Sequence, residues 1–369
     1  MGPNFEVYRF QADGGSGAVS YGTNSANPRV AGPDSGPAPI PWQAAGFSGG
    51  PACCGPACIA QNAVTIWSSL HSLRQTTSRC PACERPTLLR RSALGSYALR
   101  ACPECGLELL DPQPEDSVLA EIYNHDYFLG EDGAESSARR SKMKSATAAL
   151  YVDTLARLVG QENADLLEIG CGHGEVLLEA QRRGFRVSGI EISAPAAAIA
   201  NRSLGGPVVT VGAIQTLPFV EDRFDAVLAA DVIEHVRDPE DLLLRIREML
   251  STGGVLLLIT PSLNSWTRRL LGRRWMEYKV EHLYYFSALS MRLLLERCGF
   301  EEIRIRPSRK VLTIDYIARH FSRFRVPILS PVIGLARRVI PGPIAHRHLL
   351  MPASGLMATA RRGGARRPQ

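Results

Sequence analysis

Long uninterrupted apolar runs are missing from this chain of 369 residues. The longest uncharged apolar stretch near its end, residues 326–336, is too short to span a bilayer and is broken by Pro327 and Pro331. The N-terminal residues lack a basic start followed by an apolar core, which is the pattern of a secretory signal. We therefore expect a cytoplasmic protein in a reducing compartment.

Cysteine is also sparse, since nine residues in the whole chain exclude a disulfide-stapled scaffold. Four of them form a C-x2-C-x18-C-x2-C pattern, namely Cys80, Cys83, Cys102 and Cys105. In this spacing two tight turns present four thiolates to one tetrahedral zinc ion. Disulfides or a redox pair are the alternative. Because four thiolates leave no open coordination position, the sequence predicts a structural zinc site.

The chain divides by composition into three parts. The first 60 residues contain 11 Gly and 8 Pro without a periodic apolar pattern, so we expect residues 1–75 to be disordered. Residues 76–115, which hold the cysteine pairs, are expected to form a small zinc-ribbon-like module. Residues 116–369 are expected to form one larger domain.

Positive charge is concentrated near the C-terminus. Residues 301–369 hold 13 Arg and one Lys against three acidic residues, whereas the whole chain has a net charge of only +6. Within them, residues 311–350 mix apolar side chains with arginine, which predicts a basic amphipathic lid. Such a lid either contacts an anionic membrane surface, which would place the protein peripherally at the inner membrane, or packs on the domain.

Apolar segments alternate with helical stretches after residue 160. This alternation predicts a parallel sheet covered by helices on both faces, which is an α/β fold. Ser193 and Ser287 are each placed to begin a helix, and the second helix is expected to end at Gly299. The apolar segments are residues 165–169, 186–190, 208–211, 224–229 and 255–260.

A glycine-rich loop, Glu168-Ile-Gly-Cys-Gly-His-Gly174, joins the first of these segments to the next helix. Such a loop brings the backbone close to a ligand. Glu191 ends the following strand, where an acidic side chain accepts hydrogen bonds from both hydroxyls of a ribose. A dinucleotide-binding loop would need a third glycine at position 175, which is Glu175, so NAD is disfavoured.

The loop resembles the signature of class I S-adenosylmethionine-dependent methyltransferases. The resemblance continues in Asp231-Val-Ile-Glu-His235 and in His282-Leu-Tyr-Tyr-Phe-Ser287, and it covers about residues 120–360. It implies a Rossmann-like seven-stranded sheet with late strands near 303–306 and 356–360. It also implies S-adenosylmethionine as the methyl donor, lying over the tips of the first strands.

The resemblance assigns cofactor contacts residue by residue. Ala213 stands where such proteins often carry an acid for the adenine amine, so backbone groups near Ile214 are expected to replace it. The other assigned residues are Glu168 in the signature, Gly170, Cys171, Gly172 and Gly174 along the methionine portion, Glu191 and Ile192 at ribose and adenine, and Asp231 at the methionine end.

Methyl transfer from a sulfonium mainly requires alignment of nucleophile, methyl group and sulfur. A hydroxyl acceptor would also benefit from a general base, and the resemblance places His235 and His282 near the reaction. Either histidine could instead have a packing role. Asp231, Glu234 and His235 also match positions that bind a divalent ion in related ubiquinone-pathway O-methyltransferases, so metal-assisted catalysis is a minor hypothesis.

The sequence favours methylation of a small-molecule, sugar or lipid-linked glycan acceptor, by analogy with zinc-ribbon methyltransferases of cell-surface and secondary-metabolite pathways. An RNA methyltransferase that uses the zinc module and basic tail is the first alternative. Nucleic acid is disfavoured as a partner because residues 80–105 have a net charge near +2 and a single aromatic residue, Tyr97. A catalytically degenerate scaffold is the second alternative.

Overall fold

The computed structural model describes residues 79–86, 88–123, 134–217, 221–323 and 329–364. The expected disorder of residues 1–75 lies outside these residues. The strands are β1 (Leu89–Leu94), β2 (Tyr97–Ala101), β3 (Glu108–Leu110), β4 (Asp165–Ile169), β5 (Arg186–Glu191), β6 (Val209–Val211), β7 (Phe224–Ala230), β8 (Leu250–Pro261), β9 (Tyr284–Tyr285), β10 (Phe300–Leu312) and β11 (Leu349–Arg362). The helices are α1 (Asp116–Ile122), α2 (Ala134–Val159), α3 (Glu175–Arg182), α4 (Ala194–Leu204), α5 (Pro239–Met249), α6 (Trp266–Leu271), α7 (Ala288–Arg297), α8 (Ile314–Arg323), α9 (Leu329–Val339) and α10 (Gly342–Ala345).

Seven strands form the larger sheet, in the order β10-β11-β8-β7-β4-β5-β6. Strands β8, β7, β4, β5 and β6 pair in parallel, whereas β11 runs antiparallel to both of its neighbours. This is the seven-stranded α/β sheet that the sequence predicts. The two late strands extend well beyond residues 303–306 and 356–360, where the resemblance placed them, because the pairing of β10 with β11 continues on both sides of these residues.

Apolar layers lie on both faces of the larger sheet, as expected for buried parallel strands. On one face, Val152 and Leu155 of α2 pack against Leu166, Ala226 and other strand residues. On the opposite face, side chains of α5 and α7 pack against alternate residues of the same strands. Fully buried strands therefore run through the centre of the molecule and hold their carboxyl ends at one edge.

Helix starts follow the predicted caps. The Ser193 side chain accepts a hydrogen bond from Ala196 N at the start of α4. Ser287 and Ser290 form a reciprocal capping box at the start of α7, which ends at Cys298 with Gly299 in the left-handed region. Both serines therefore satisfy backbone donors that a helix leaves unpaired at its N-terminus.

A second sheet of four strands has the order β1-β2-β3-β9. Its first three strands belong to the cysteine-containing module, whereas β9 belongs to the larger domain. Glu108 pairs with Tyr285, and Leu110 N donates to Leu283 O at 3.0 Å. The proposed boundary at residue 115 therefore separates segments that share one sheet.

The insertion between β10 and β11 contains the helices α8, α9 and α10. Val332, Leu335 and Val339 of α9 are exposed, and Asp315 of α8 pairs with Arg337 of α9 at 2.9 Å. Across the part of the chain that the structure describes, no helix is long and apolar enough to cross a membrane.

Ser287 contributes more than its cap, because its hydroxyl also donates to Cys105 O at 2.6 Å. We expect Ser287→Ala to lower the free energy of unfolding by about 2 kcal/mol, from a lost cap and a buried carbonyl left unpaired. Ser193→Ala, which removes a cap alone, should cost about 1 kcal/mol. Urea unfolding measures both, and equal losses would contradict a stabilising link through Ser287.

Candidate active site

The glycine-rich loop after β4 turns at the carboxyl edge of the larger sheet. Gly170, Gly172 and Gly174 all have positive φ angles, of 70°, 54° and 80°. A Cβ at Gly170 would lie 2.7 Å from Val232 Cγ2, and one at Gly174 would lie 3.0 Å from Ala200 Cβ. At Gly172 an added Cβ would meet nothing within 4 Å. The first and third glycines therefore allow close packing, whereas the second borders open space.

Glu191 fixes this loop from the end of β5. Its Oε2 accepts a hydrogen bond from Gly172 N at 2.8 Å, and its Oε1 accepts one from Ser193 N at 2.9 Å. The side chain is buried, and burial raises the pKa of Glu191 while these backbone donors oppose the shift. Because a carboxylate has about four acceptor positions, both oxygens retain capacity for a further donor.

Glu168 and Cys171 lie beneath the loop. Glu168 is buried, and burial together with the charges of Glu175 and Glu191 raises its pKa well above the ordinary value. Its Oε2 has no hydrogen-bond partner among the described residues. Burial likewise raises the pKa of the Cys171 thiol, which packs in the apolar cluster below α3 and α4.

The residues expected near adenine follow β5 and β6. Ile192 is 36% exposed, whereas Ile214 and Ala213 are buried. Gly212 N donates to Glu191 O at 2.9 Å, which holds the segment after β6 beside the end of β5. The structure therefore brings Ile192 and the backbone near Ile214 to the same edge as the glycine loop.

Asp231 follows β7 with a positive φ of 55° and pairs with a residue that the sequence did not indicate. Lys310 Nζ lies 3.0 Å from Asp231 Oδ2. Partial desolvation opposes ionisation of the Asp231 side chain, which is 47% exposed, but the Lys310 ammonium outweighs it and lowers the pKa of this carboxyl. Lys310 is one of only four lysines in the chain, and its position on β10 depends on the strand order.

His235 and His282 meet edge to face, with ring centroids 4.7 Å apart. The Nδ1 atom of His235 lies 3.0 Å from Glu281 O, and that of His282 lies 2.9 Å from Glu277 O. Tyr123 Oη also contacts Nδ1 of His235. Burial lowers the pKa of both histidines to about 3, so both rings are neutral near pH 7.

Glu234 lies beside the two histidines and is almost completely buried. Its Oε2 accepts a hydrogen bond from Thr260 Oγ1 at 2.9 Å, while Oε1 lies 4.0 Å from His235 Nε2 and has no hydrogen-bond partner among the described residues. Burial and the charge of Asp231 raise the pKa of Glu234 well above its ordinary value. Glu234, His235 and His282 are close enough together to share a metal ion.

The four cysteines predicted to bind zinc converge on one point. Their sulfur atoms all lie within 4.8 Å of one another, with Cys80 Sγ to Cys105 Sγ and Cys83 Sγ to Cys102 Sγ each at 3.5 Å. None of the four forms a disulfide. A side-chain hydrogen bond with Cys105 lowers the pKa of Cys80 to about 5, which favours a thiolate. Four clustered thiol groups suit a tetrahedral zinc ion.

The segment after the cysteine module reaches the histidines through contacts that the sequence did not reveal. Arg237 donates to Gln113 Oε1 at 3.0 Å and to Pro114 O at 2.9 Å, and it pairs with Asp116. The Tyr284 hydroxyl accepts from Gln113 at 2.9 Å and donates to Arg237 O. The contacts of Gln113, Pro114 and Asp116 join residues more than 100 positions apart, and that of Tyr284 with Arg237 spans 47, so no local pattern could have indicated them.

Comparison with known proteins supports the family resemblance. Residues 140–305 match the model of a family described as a methyltransferase domain. The chain is 30% identical over 154 residues to a tRNA U34 carboxymethyltransferase of Vibrio vulnificus, covering 39% of this chain and 47% of the relative. It is 31% identical over 120 residues to a ubiquinone biosynthesis O-methyltransferase of Cereibacter sphaeroides, covering 31% of this chain and 49% of the relative. The chain thus spans about half the length of these relatives.

Among solved structures, the chain is similar to an S-adenosylmethionine-dependent methyltransferase from Thermotoga maritima named as a possible histamine N-methyltransferase. The identity is 18% and the TM-score is 0.41, with 60% of this chain and 90% of the other chain covered.

The relatives correct one expectation from the sequence. Nucleic acid was disfavoured as a partner, and a small-molecule or glycan acceptor, with membrane contact through the basic lid, was favoured. Several of the curated relatives are instead named for tRNA. The expectation was wrong because it rested on the low net charge and single aromatic residue of the segment between Cys80 and Cys105.

The glycine loop, the acid that ends β5 and the five parallel strands of the larger sheet all belong to the part of the chain that matches the family model. Residues 140–305 of this chain thus resemble the methyltransferase domain of S-adenosylmethionine-dependent enzymes.

Proposed function

We propose that the chain binds S-adenosylmethionine at the carboxyl edge of the larger sheet and transfers its methyl group to RNA. The main support for the donor site is the Glu191 carboxylate, which accepts a hydrogen bond from Gly172 N at 2.8 Å. A Cβ added at Gly172 would meet no atom within 4 Å, so open space for a ligand remains beside this glycine. The RNA acceptor is supported by the relatives named for tRNA U34. S-adenosylmethionine would supply an electrophilic methyl group on a good leaving group.

In this proposal the chain's own residues bind and orient the donor. Gly170, Cys171, Gly172 and Gly174 border the methionine portion, and Glu191 accepts from the ribose hydroxyls with its unused acceptor positions. The unpartnered Oε2 of Glu168 lies buried beneath the same loop and is available to a donor from a bound ligand. The remaining proposed contacts are Ile192 and Ile214 at the adenine and Asp231 at the methionine end.

The proposed acceptor side is formed by His235 and His282. Their depressed pKa values keep both imidazoles neutral, so each can accept a hydrogen bond from an acceptor group with a ring nitrogen. Lys310 holds Asp231 ionised beside them. We assign the histidines to orienting the acceptor through such a hydrogen bond, because their low pKa makes them weak bases, and alignment provides most of the rate acceleration.

We also propose that Cys80, Cys83, Cys102 and Cys105 bind one structural zinc ion. Their module contributes β3, which pairs with β9 directly after Leu283. Ser287 and Arg297 hold the two cysteine turns against α7, through Cys105 O and Pro81 O. We therefore propose that the chain divides into a zinc module at residues 76–115 and a methyltransferase domain at residues 116–369, which contains a lid at about residues 311–350. The zinc module supports the methyltransferase domain.

The donor site predicts the effect of removing one negative charge. We expect Glu191→Gln to weaken binding of S-adenosylmethionine by about tenfold or more, since a charge-assisted hydrogen bond contributes about 1.5–3 kcal/mol. Calorimetric titration measures the affinity. Glu162→Gln, at an exposed residue before β4, is the matched control and should bind like the unmodified chain.

The same proteins test the acceptor. Labelled methyl groups from S-adenosylmethionine should be incorporated into total RNA by the unmodified chain and by Glu162→Gln, and weakly by Glu191→Gln. Unchanged donor affinity in Glu191→Gln would contradict the donor site. Donor binding without incorporation into any RNA would contradict the acceptor alone.

Zinc removal should loosen the sheet that the module shares with β9. We expect one zinc per chain by elemental analysis, and faster amide hydrogen exchange at Leu110 and Leu283 after chelation, because these amides lie where the module meets the domain. Cys83→Ser should lose zinc and show the same change. Cys298→Ser, at a buried cysteine outside the cluster, should retain zinc. Unchanged exchange at both amides in zinc-free protein would refute this supporting role.

The buried histidines predict a pH dependence of stability. Their folded pKa values of about 3 lie below the ordinary value of 6.5, so between these limits the unfolded chain binds more protons and the free energy of unfolding rises with pH. Replacing His282 by Asn should make this rise smaller between pH 5 and pH 7 in urea unfolding. His348→Asn, at an exposed histidine, should leave the rise unchanged. If the free energy of unfolding of His282→Asn rises with pH as steeply as that of the unmodified chain, the result would contradict a buried, neutral His282 ring.

A further inference from the structure

Edge strand β10 exposes three arginines. Arg304, Arg306 and Arg309 are exposed, whereas Ile303 and Ile305, which precede the first two, are half-buried against the core. Within the described ranges, none of these three guanidinium groups forms an ion pair or a side-chain hydrogen bond, while most other arginines of the domain do. The strand therefore presents a row of unneutralised positive charge, which we call the β10 arginine row.

The β10 arginine row leads to the donor edge. Arg306 pairs with Met357 of β11, and Met357 pairs with Ile259 of β8. Ile259 in turn pairs with Ala230 of β7. Arg306 thus lies level with the carboxyl end of β7. Arg309 precedes Lys310, whose ammonium contacts Asp231. The row begins below the carboxyl edge and ends beside the proposed reaction site.

Acidic groups near the row do not cancel its charge. Glu301 and Glu302 lie at the start of β10, and Glu302 pairs with Arg361 at 3.5 Å. Asp231 is paired with Lys310. Residues 304–309 contain no acidic side chain. A polyanion lying along this part of the strand would meet positive charge alone.

The spacing of the row suits a repeating anion. Arg304 and Arg306 are two residues apart and so lie about 7 Å apart along the strand, which allows them to engage separate phosphates of one chain, and Arg309 follows after a register shift between Pro307 and Arg309. Guanidinium donors bind phosphate oxygens in a fixed fork. A phosphodiester backbone offers one such charge for every nucleotide.

We infer that the phosphodiester backbone of an RNA acceptor binds along Arg304, Arg306 and Arg309 and so delivers a nucleotide to the carboxyl edge. This inference rests on the proposed RNA acceptor. It assigns the row to binding and orientation of the nucleic acid and to no chemical step. Charged residues on an edge strand also hinder pairing of strands between molecules, and protection of the edge is the competing explanation.

Salt dependence of RNA binding tests the row directly. The comparison is between Arg304→Ser/Arg306→Ser and the control Arg182→Ser/Arg202→Ser, which removes two exposed arginines from α3 and α4 beside the opposite edge of the sheet. Binding of a 20-nucleotide polyuridylate is measured across salt concentrations. Losing two phosphate contacts should reduce the slope of log K against log salt by about 1.4, at about 0.7 for each contact.

Each outcome decides between the explanations. A smaller slope and slower RNA methylation in the β10 double variant, with unchanged calorimetric affinity for S-adenosylmethionine and an unaltered control, would support the inference. If the salt slope of RNA binding and the rate of RNA methylation are unchanged in the β10 double variant, and this variant self-associates more, the arginines protect the edge strand from pairing between molecules. This result would overturn the inference. Loss of binding to phosphatidylserine vesicles without any change for RNA would also overturn it. If the unmodified chain binds the donor but no RNA, the RNA acceptor itself fails.

Discussion

The carbonyl group of Glu234 organises the candidate active site. It accepts hydrogen bonds from Leu283 N at 2.8 Å and from Tyr284 N at 3.3 Å, and Leu283 O in turn accepts one from Leu110 N. The segment that carries His282 is thus held between the turn after β7 and the cysteine module. Because a two-residue strand such as β9 has little stability alone, its position depends on partners at both sides.

This dependence gives the cysteine module a mechanical role in the site. A small module cannot bury enough apolar surface for independent stability, and a metal is one common compensation. Here its last strand and the following residues also contact Arg237 and Tyr284. The module and the segment after it support the imidazoles on one side, since Tyr123 of that segment contacts Nδ1 of His235. Stability of the module and geometry of the site are therefore coupled.

The sequence predicted the elements of the larger sheet well because local rules apply there. Buried parallel strands such as β4 read as continuous apolar segments, and Ser193 and Ser287 marked helix starts through a local side-chain contact. The glycine loop and Glu191 were found for the same reason, since the spacing between them follows from one βαβ unit. The cysteine cluster was likewise indicated by its spacing.

The contacts that were missed are long-range. Lys310 reaches Asp231 only because β10 and β7 lie in one sheet separated by β11 and β8. The pairing of β3 with β9 joins residues that lie far apart in the chain, and two tyrosines in sequence carry no signal for it. Arginines 304, 306 and 309 contributed only to a regional charge count, because exposure on an edge strand is a property of the strand order.

Two buried carboxyl oxygens near the carboxyl edge of the larger sheet have no hydrogen-bond partner among the described residues. A buried carboxyl oxygen without a partner costs free energy, and folded proteins retain few of them. The two oxygens are Glu168 Oε2, near the end of β4, and Glu234 Oε1, in the turn after β7. Burial raises the pKa of both carboxyl groups, so each is stabilised in a neutral form that can donate as well as accept a hydrogen bond. An edge that tolerates this cost at two positions has polar groups that a bound ligand can satisfy.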